Sequence, residues 1–427
     1  MGNVINLIGG SKPTQEKTVT PTAAGLVVTP DAGKLLSKVT VNGDSDLVAG
    51  NIKKGVDIFG VTGTLKPSAP NGTRWTKANI NTVCYTTWYA NGIWVEYSSS
   101  GLYYSTDGKN WTQSNDKSYW QNIICANGIW VASNSSSGLY YSTDGKNWTQ
   151  SNVTEDGGII YYANGIWVAS SSRRGPLYYS TDGKNWTQSN LTSVTSEVIK
   201  NANGIWLAGI SGSPSGLYYS TDGKNWTQSN LSSTSTVLHY ANGIWVTGFS
   251  SNSEGTYYST DGKNWTKSNL GAYIGILYYA NGIWQAGAIN SYSISPQPLY
   301  YSTDGKNWTQ SNVKLRWADG ICYADGLWVE GFSGSSGGLY YSTDGNNWTK
   351  SNLENVNSKL LVRANGIWVA SVESGFSGNT EGLYYSTDGK NWTQSNLSLI
   401  PRGLHYANGI WIASTDDGLY YSEAWVA

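Results

Sequence analysis

Along most of the chain, apolar and polar positions follow one short rhythm. A run ending in a Tyr-Ala pair, as at Tyr162-Ala163, is followed by Asn-Gly and then by Ile-Trp-Val-Ala. After a polar stretch of varying length comes Leu-Tyr-Tyr-Ser, then Asp-Gly, then Asn-Trp-Thr-Gln-Ser. Each apolar run is too short for a helix and is bounded by turn residues, so each reads as a strand. Asn-Gly favours the positive φ angles of a two-residue hairpin. Asp-Gly supplies a second tight turn, in which the carboxylate accepts backbone N–H bonds. The pattern therefore predicts four short antiparallel strands per unit. The second and third are apolar or aromatic at successive positions and do not alternate, so they are expected to be covered on both sides.

The rhythm recurs. The phrase beginning Ala90-Asn91-Gly92 returns with its Ala at 126, 163, 202, 241, 280, 324, 364 and 407. The Tyr-Tyr-Ser-Thr-Asp-Gly phrase has its Asp at 107, 144, 182, 222, 261, 304, 344 and 388, and a shortened copy, Gly418-Leu419-Tyr420-Tyr421-Ser422, follows the last. Units that cannot bury both faces alone must stack. Arg74-Trp75-Thr76-Lys77-Ala78-Asn79 reads as a fourth strand with no first three before it, while the last unit has three strands and no fourth. Joined, these pieces complete a ninth unit and hide two strand edges. The expectation is an all-β chain: a β-propeller of about nine four-stranded blades with terminal-strand closure, over residues 71–427. An open or subdivided array of the same units satisfies the same strand pattern. A small β-rich module precedes it at 1–65, and Lys66-Pro67-Ser68-Ala69-Pro70 reads as a stiff linker.

Composition sharpens this picture. Trp 22 and Tyr 31 against Phe 4 is an unusual aromatic load, and the two repeated phrases account for most of the tryptophans. A net charge of −1 excludes the basic face that nucleic acid requires. No run approaches a membrane span, so no membrane insertion is expected. Met1-Gly2-Asn3-Val4-Ile5-Asn6 lacks a basic leader, which points to synthesis in a cytoplasm without export. Cys84, Cys125 and Cys322 lack metal spacing and read as small buried residues; no cofactor and no metal is expected.

The Ser-Thr-Asp-Gly-Lys-Asn-Trp phrase resembles a shortened Asp-box, the turn motif of Asp-box (BNR-repeat) propellers, which include sialidases. In that family the box is a structural turn, so the resemblance implies scaffold and not catalysis. Thr18-Val19-Thr20-Pro21, Val28-Thr29-Pro30-Asp31-Ala32-Gly33, Leu36-Ser37-Lys38-Val39-Thr40-Val41 and Asn51-Ile52-Lys53-Lys54-Gly55-Val56-Asp57-Ile58-Phe59-Gly60-Val61-Thr62-Gly63-Thr64 resemble the leading segments of phage and prophage tail proteins. That resemblance implies a virion location, with residues 1–65 bound to other tail proteins and a distal display domain. A homo-oligomer is compatible with it.

The chemistry of a sialidase is not legible. The six arginines do not form its Arg-Ile-Pro motif, and Glu96, Glu254, Glu330 and Glu373 are scattered. His239 and His405 occupy equivalent positions that other units fill with Trp88, Tyr161, Tyr278 or Val362, which points to packing or channel lining. The expectation is a non-enzymatic adhesin for a host cell-surface polysaccharide. The alternatives are a structural or decorative virion protein without a ligand, and a glycoside hydrolase of sialidase-like fold. In an antiparallel blade the near-identical Asn-Gly and Asp-Gly turns share one face, and the variable loops share the other. Candidate ligand-binding residues on the variable face are Trp120, Arg173, Arg174, Tyr292, Arg316 and Trp317, with Phe249, Phe332, Phe376 and Arg402. Rigid aromatics among small polar residues can stack on sugar rings. Trp317, close to a first strand, is the one expected to turn inward if any does.

Overall fold

The computed structural model describes residues 14–19, 28–41, 57–58, 61–62, 71–115, 120–212, 214–249, 255–288, 297–315, 317–333, 337–354, 356–373 and 381–423. The expected linker and the candidates Tyr292, Arg316 and Phe376 lie outside these residues, as does Glu254. Contacts divide the chain into two units, Met1–Ser68 with Val426–Ala427, and Ala69–Trp425. In the first unit Thr14–Val19 pairs in parallel with Leu35–Val41, and Asp57–Ile58 forms a short antiparallel ladder with Val61–Thr62.

The second unit is a nine-bladed β-propeller, and no helix occurs among the described residues. Blade 1 consists of strands a to d at Cys84–Ala90, Ile93–Ser98, Gly101–Ser105 and Thr112–Gln113. Blades 2 to 8 repeat this order, with strand a starting at Trp120, Gly157, Val194, Val237, Ile274, Trp317 and Asn357. Blade 9 takes strands a to c from Gly403–Ala407, Ile410–Thr415 and Gly418–Ser422, and strand d from Thr76–Lys77. The a strands of successive blades touch, including those of blades 9 and 1, so they line the centre of a closed ring.

Both turns take the form their residues dictate. Asn91 has φ 51° and Gly92 φ 77°, and the other eight a–b turns match them closely, Asp325 replacing Asn in blade 7 at φ 53°. In the c–d turn of blade 2, Asp144 Oδ1 accepts bonds from the Ser142 hydroxyl at 2.9 Å and from the Lys146 and Asn147 backbone N–H groups at 2.8 Å. Its Oδ2 accepts from the Asn147 amide at 2.8 Å. Burial acts to raise the pKa of Asp144, but these bonds outweigh it and hold the carboxyl at about 2. Gly145, at φ 70°, lies where an added Cβ would sit 3.1 Å from Ile93 of blade 1 and 3.2 Å from its own blade's Trp130.

The core lies between blades. The strand-b tryptophans are at most 2 % exposed, and those of the c–d turns are nearly as buried. Strand d is shorter than the sequence suggests, only Thr-Gln in most blades, because the box engages the Asn and Trp before it. The Trp148 backbone N–H donates instead to Asn115 Oδ1 of blade 1 at 2.9 Å, and the Asn115 amide returns a bond to the Trp148 carbonyl at 3.2 Å. This reciprocal clamp recurs at every seam: Asn79–Trp111, Asn152–Trp186, Asn190–Trp226, Asn230–Trp265, Asn269–Trp308, Asn312–Trp348, Asn352–Trp392 and Asn396–Trp75. At seven seams the turn lysine also lies over a strand-c tyrosine of the preceding blade, as Lys146 does 5.5 Å from the Tyr104 ring.

The ninth box is assembled from both ends of the repeat region. The Gly72 backbone N–H donates to Ser422 Oγ at 2.8 Å, the same bond that Gly145 makes to Ser142 within one turn. The ring thus closes through a ladder, a box and a clamp.

Candidate functional site

Antiparallel pairing places every a–b and c–d turn at one end of the blades and every b–c and d–a connection at the other. The first face is uniform in sequence and in backbone angle. The second holds a cleft of ≈380 Å³ across the inner ends of blades 2, 3 and 4, lined by Gln121, Asn122, Gly158, Ile159, Ser170, Ser171, Ser172, Thr195, Ser196 and Glu197.

Local structure explains the opening. Strand a of blade 3 begins with Gly157-Gly158 and bulges before Ile160. An added Cβ on Gly158 would lie 2.8 Å from both Ser170 Oγ and the Ser171 carbonyl, so only glycine fits there. At the bulge, the Ile159 backbone N–H donates to Ser170 Oγ at 2.9 Å. On the blade 4 wall, Ser211 Oγ donates to Glu197 Oε1 at 2.8 Å and fixes that carboxylate at the rim. The lining is thus amides, hydroxyls and one carboxylate, a set that exchanges hydrogen bonds with a hydroxyl-rich ligand.

Of the candidate residues, Arg173 and Arg174 are exposed in the b–c connection that follows Ser172. Arg173 pairs with Asp156 at 3.1 Å, and Arg174 reaches to within 3.7 Å of where a Cβ on Gly212 of blade 4 would stand. Arg402 is exposed on the same face at the seam of blades 9 and 1, paired with Asp416 and lying 5.5 Å over the Tyr85 ring.

Three aromatic candidates do not reach the surface. Trp120 is 2 % exposed and packs edge-on against Tyr140 and at a tilt against Trp148. Phe249 and Phe332 are equally buried, edge-on to Tyr257 and Tyr340 of their own blades. Each fills the space between sheets near the variable end, where an apolar ring gains more from burial than from water. Trp317 begins strand a of blade 7 opposite Ser333. Among the described residues no aromatic side chain lines the cleft.

The sequence reading missed Gln121, Asn122, Thr195, Ser196 and Glu197. The signal was the Gly157-Gly158 pair at a strand start, since a glycine pair there removes side chains from a wall.

The acids and histidines fall into the scaffold. Glu96 is fully buried in blade 1, accepting from Ser414 Oγ of blade 9 at 2.9 Å and from the Tyr85 N–H at 3.1 Å. Burial pushes its carboxyl well above the usual range against those bonds. Glu330 is buried in blade 7, and Glu373 pairs with Lys359 at 2.5 Å. His239 and His405 lie edge-on to the strand-b tryptophans of the next blade, Trp284 and Trp94, and burial lowers the pKa of both. Among the described residues no three His, Cys, Asp or Glu side chains are grouped to hold a metal ion.

No protein-family model matches the chain, and no curated protein matches it. Among solved structures it is similar to the computationally designed Ika8 protein, at 12% identity and TM-score 0.48, covering 73% of this chain and 97% of that one. It is also similar to BamB from Moraxella catarrhalis, at 10% identity and TM-score 0.46, covering 82% and 99%. A GH74 enzyme from Niastella koreensis gives 16% identity and TM-score 0.33, covering 79% and 73%. At such identities and scores these likenesses carry no argument about function.

Proposed function

We propose that this chain is a non-enzymatic adhesin of a phage tail or related particle, whose propeller binds a host cell-surface polysaccharide at the variable face. One observation carries the reading: the two faces differ in kind. One is a near-invariant set of turns, in which the c–d aspartates bond within their own turns. The other varies from blade to blade and holds the polar cleft of blades 2 to 4. Loops on a rigid scaffold are where recognition accumulates. The resemblance of the leading segments to tail proteins supports attachment through residues 1–65. The described lining of the cleft supports the reading with hydrogen-bonding groups, and Arg173, Arg174 and Arg402 are exposed cations on the same face.

Purified protein incubated with susceptible cells, with and without free cell-wall polysaccharide, tests this. Binding should be competed by the polysaccharide. The double variant Asn122→Ala, Glu197→Ala should weaken it about tenfold, the loss of one or two hydrogen bonds, with an unchanged melting temperature. Normal binding by that variant excludes the cleft. Absence of binding to any strain supports a structural virion protein, and release of reducing sugar supports a hydrolase.

A further inference from the structure

The a strands share an irregularity at the variable end. In blade 1, Cys84 faces Ser98 and Thr86 faces Tyr97, so Tyr85 is an extra residue in the ladder. Gln121 is the extra residue of blade 2 and Glu197 that of blade 4. Each stands five positions before its strand-a alanine. Blades 5 and 9 reach the same form by another route. The Thr236 and Arg402 N–H groups donate to the Gly248 and Ser414 carbonyls, which belong to the residues already paired with Val237 and Gly403.

A bulge turns the extra side chain out of the ladder and re-aims it. Burial shows the effect: Trp120, Ser196 and Ser358 are buried, and the residues that follow them, Gln121, Glu197 and Lys359, are exposed. The repeat thus sets one bulged position per blade around the inner rim of the variable face. The residue type there is not held constant. Tyr, Gln, Gly, Glu, Thr, Gly, Asp, Lys and Arg follow one another from blade 1 to blade 9.

Across blades 8, 9 and 1 these side chains are engaged with the scaffold. Lys359 pairs with Glu373, Arg402 pairs with Asp416, and Tyr85 stacks on Tyr97 at 4.7 Å beside the Arg402 guanidinium. Blades 2 to 4 are arranged otherwise. Blade 3 has Gly158 at this position, and the gap it leaves belongs to the polar cleft, with Gln121 on the blade 2 wall and Glu197 on the blade 4 wall. Among the described residues no cation lines the cleft.

We propose that Gln121 and Glu197 are the specificity-determining residues of this cleft, holding an uncharged stretch of a polysaccharide chain from both sides where it crosses blade 3 over Gly158. The proposal rests on the polysaccharide reading of the variable face and names the residues that choose the sugar. The Gln121 amide donates and accepts, whereas the Glu197 carboxylate only accepts, so the two walls are not equivalent and the chain lies in one direction. A sugar hydroxyl meets either group. An acidic sugar would face Glu197 with no cation in the lining to offset the repulsion. A cleft of ≈380 Å³ is of ordinary ligand-pocket size, so it takes a short stretch of the chain.

The test is the cell-binding assay with cell-wall polysaccharide as competitor, run on the full chain and two variants. The double variant Gln121→Glu, Glu197→Gln exchanges the two side chains, keeps the net charge and leaves an acceptor for Ser211 at position 197. It should weaken binding about tenfold, the loss of one or two hydrogen bonds, with an unchanged melting temperature. Lys359→Ala, at the equivalent position of blade 8, should bind as the parent does. Carboxyl-reduced polysaccharide should compete as well as the untreated polymer, and added salt should not weaken binding. Parental binding by the exchange variant, an equal loss in Lys359→Ala, or a requirement for the polymer's carboxyl groups overturns the proposal. If the exchange variant binds normally while Asn122→Ala, Glu197→Ala does not, the cleft stands and only the role of the bulged pair is withdrawn. Absence of binding to any strain withdraws both.

Discussion

The aspartate of each c–d turn spends its carboxylate on the turn itself. Asp144 accepts four bonds from three neighbouring residues, which is why it stays ionised to about pH 2. Hydrogen bonds to a charged group contribute about 2 kcal/mol in favourable cases, so Asp144→Ala should lower stability by about that amount in chemical denaturation. Asp304, also held at about 2, should behave alike. A carboxyl whose folded pKa lies below its unfolded value stabilises the fold above the unfolded pKa and loses that contribution as pH falls through the folded one. The contribution of Asp144 should therefore be complete above about pH 5 and be lost from about pH 4 to pH 2; the difference in melting temperature between the parent and Asp144→Ala, scanned across that window, checks it. This residue's structural role was legible, because Asp before Gly at a hairpin admits little else. The role of Asn115 and its eight equivalents was not: Ser-Asn after a strand reads as a polar loop, and only the ring brings the next blade's Trp backbone to it. Trp120 was misread for a related reason. Its neighbours in sequence are polar, and the side chains that cover it come from elsewhere: Tyr140 and Trp148 of its own blade, and a cluster with Tyr97 and Leu102 of blade 1.

At the level of strands, the two-residue strand d depends on that clamp. A ladder of Thr-Gln alone is marginal, so the outer edge of each blade is held as much by the Asn–Trp bonds as by its sheet. Asn190→Ala should cost about 2 kcal/mol, since it leaves the Trp226 N–H and carbonyl without their partner. Asn190→Ala and Asn312→Ala act on separated seams, Asn312 holding Trp348, and their losses should add within about 0.5 kcal/mol in a double variant. A markedly smaller double loss would mean that one opened seam already releases the ring. Strand order, turn type and the inward position of the tryptophans followed from the pattern of apolar residues. The cleft did not, because it depends on which three neighbouring blades carry glycine, serine and threonine at their inner ends, a relation between blades that no single repeat contains.

For the ring as a whole, closure was readable from Arg74-Trp75-Thr76-Lys77-Ala78-Asn79, a fourth strand lacking its first three. The structure adds that the box is split as well, with Ser422 bonding Gly72 and Asn396 bonding Trp75. Removing residues 418–427 takes away the pairing partner of Thr76–Lys77 and half of that box. The shortened chain should lose its single cooperative melting transition and self-associate through the bared edge, as measured by calorimetry and light scattering. A monomer that melts as before would show that the other seams hold the ring without this one.

The split box also bears on how such a chain can be inherited. Every unit supplies an Asn to the seam after it and a Trp to the seam before it, so each copy is an adaptor with one half-site of each kind. Unequal recombination between near-identical copies, spaced 39 residues apart from Ala163 to Ala280, would add or drop a whole adaptor. The half-sites at Gly72 and Ser422 would still find each other. Copy number can thus drift in a lineage without any new junction having to evolve, and each change resets the width of the channel and the order of the loops around it.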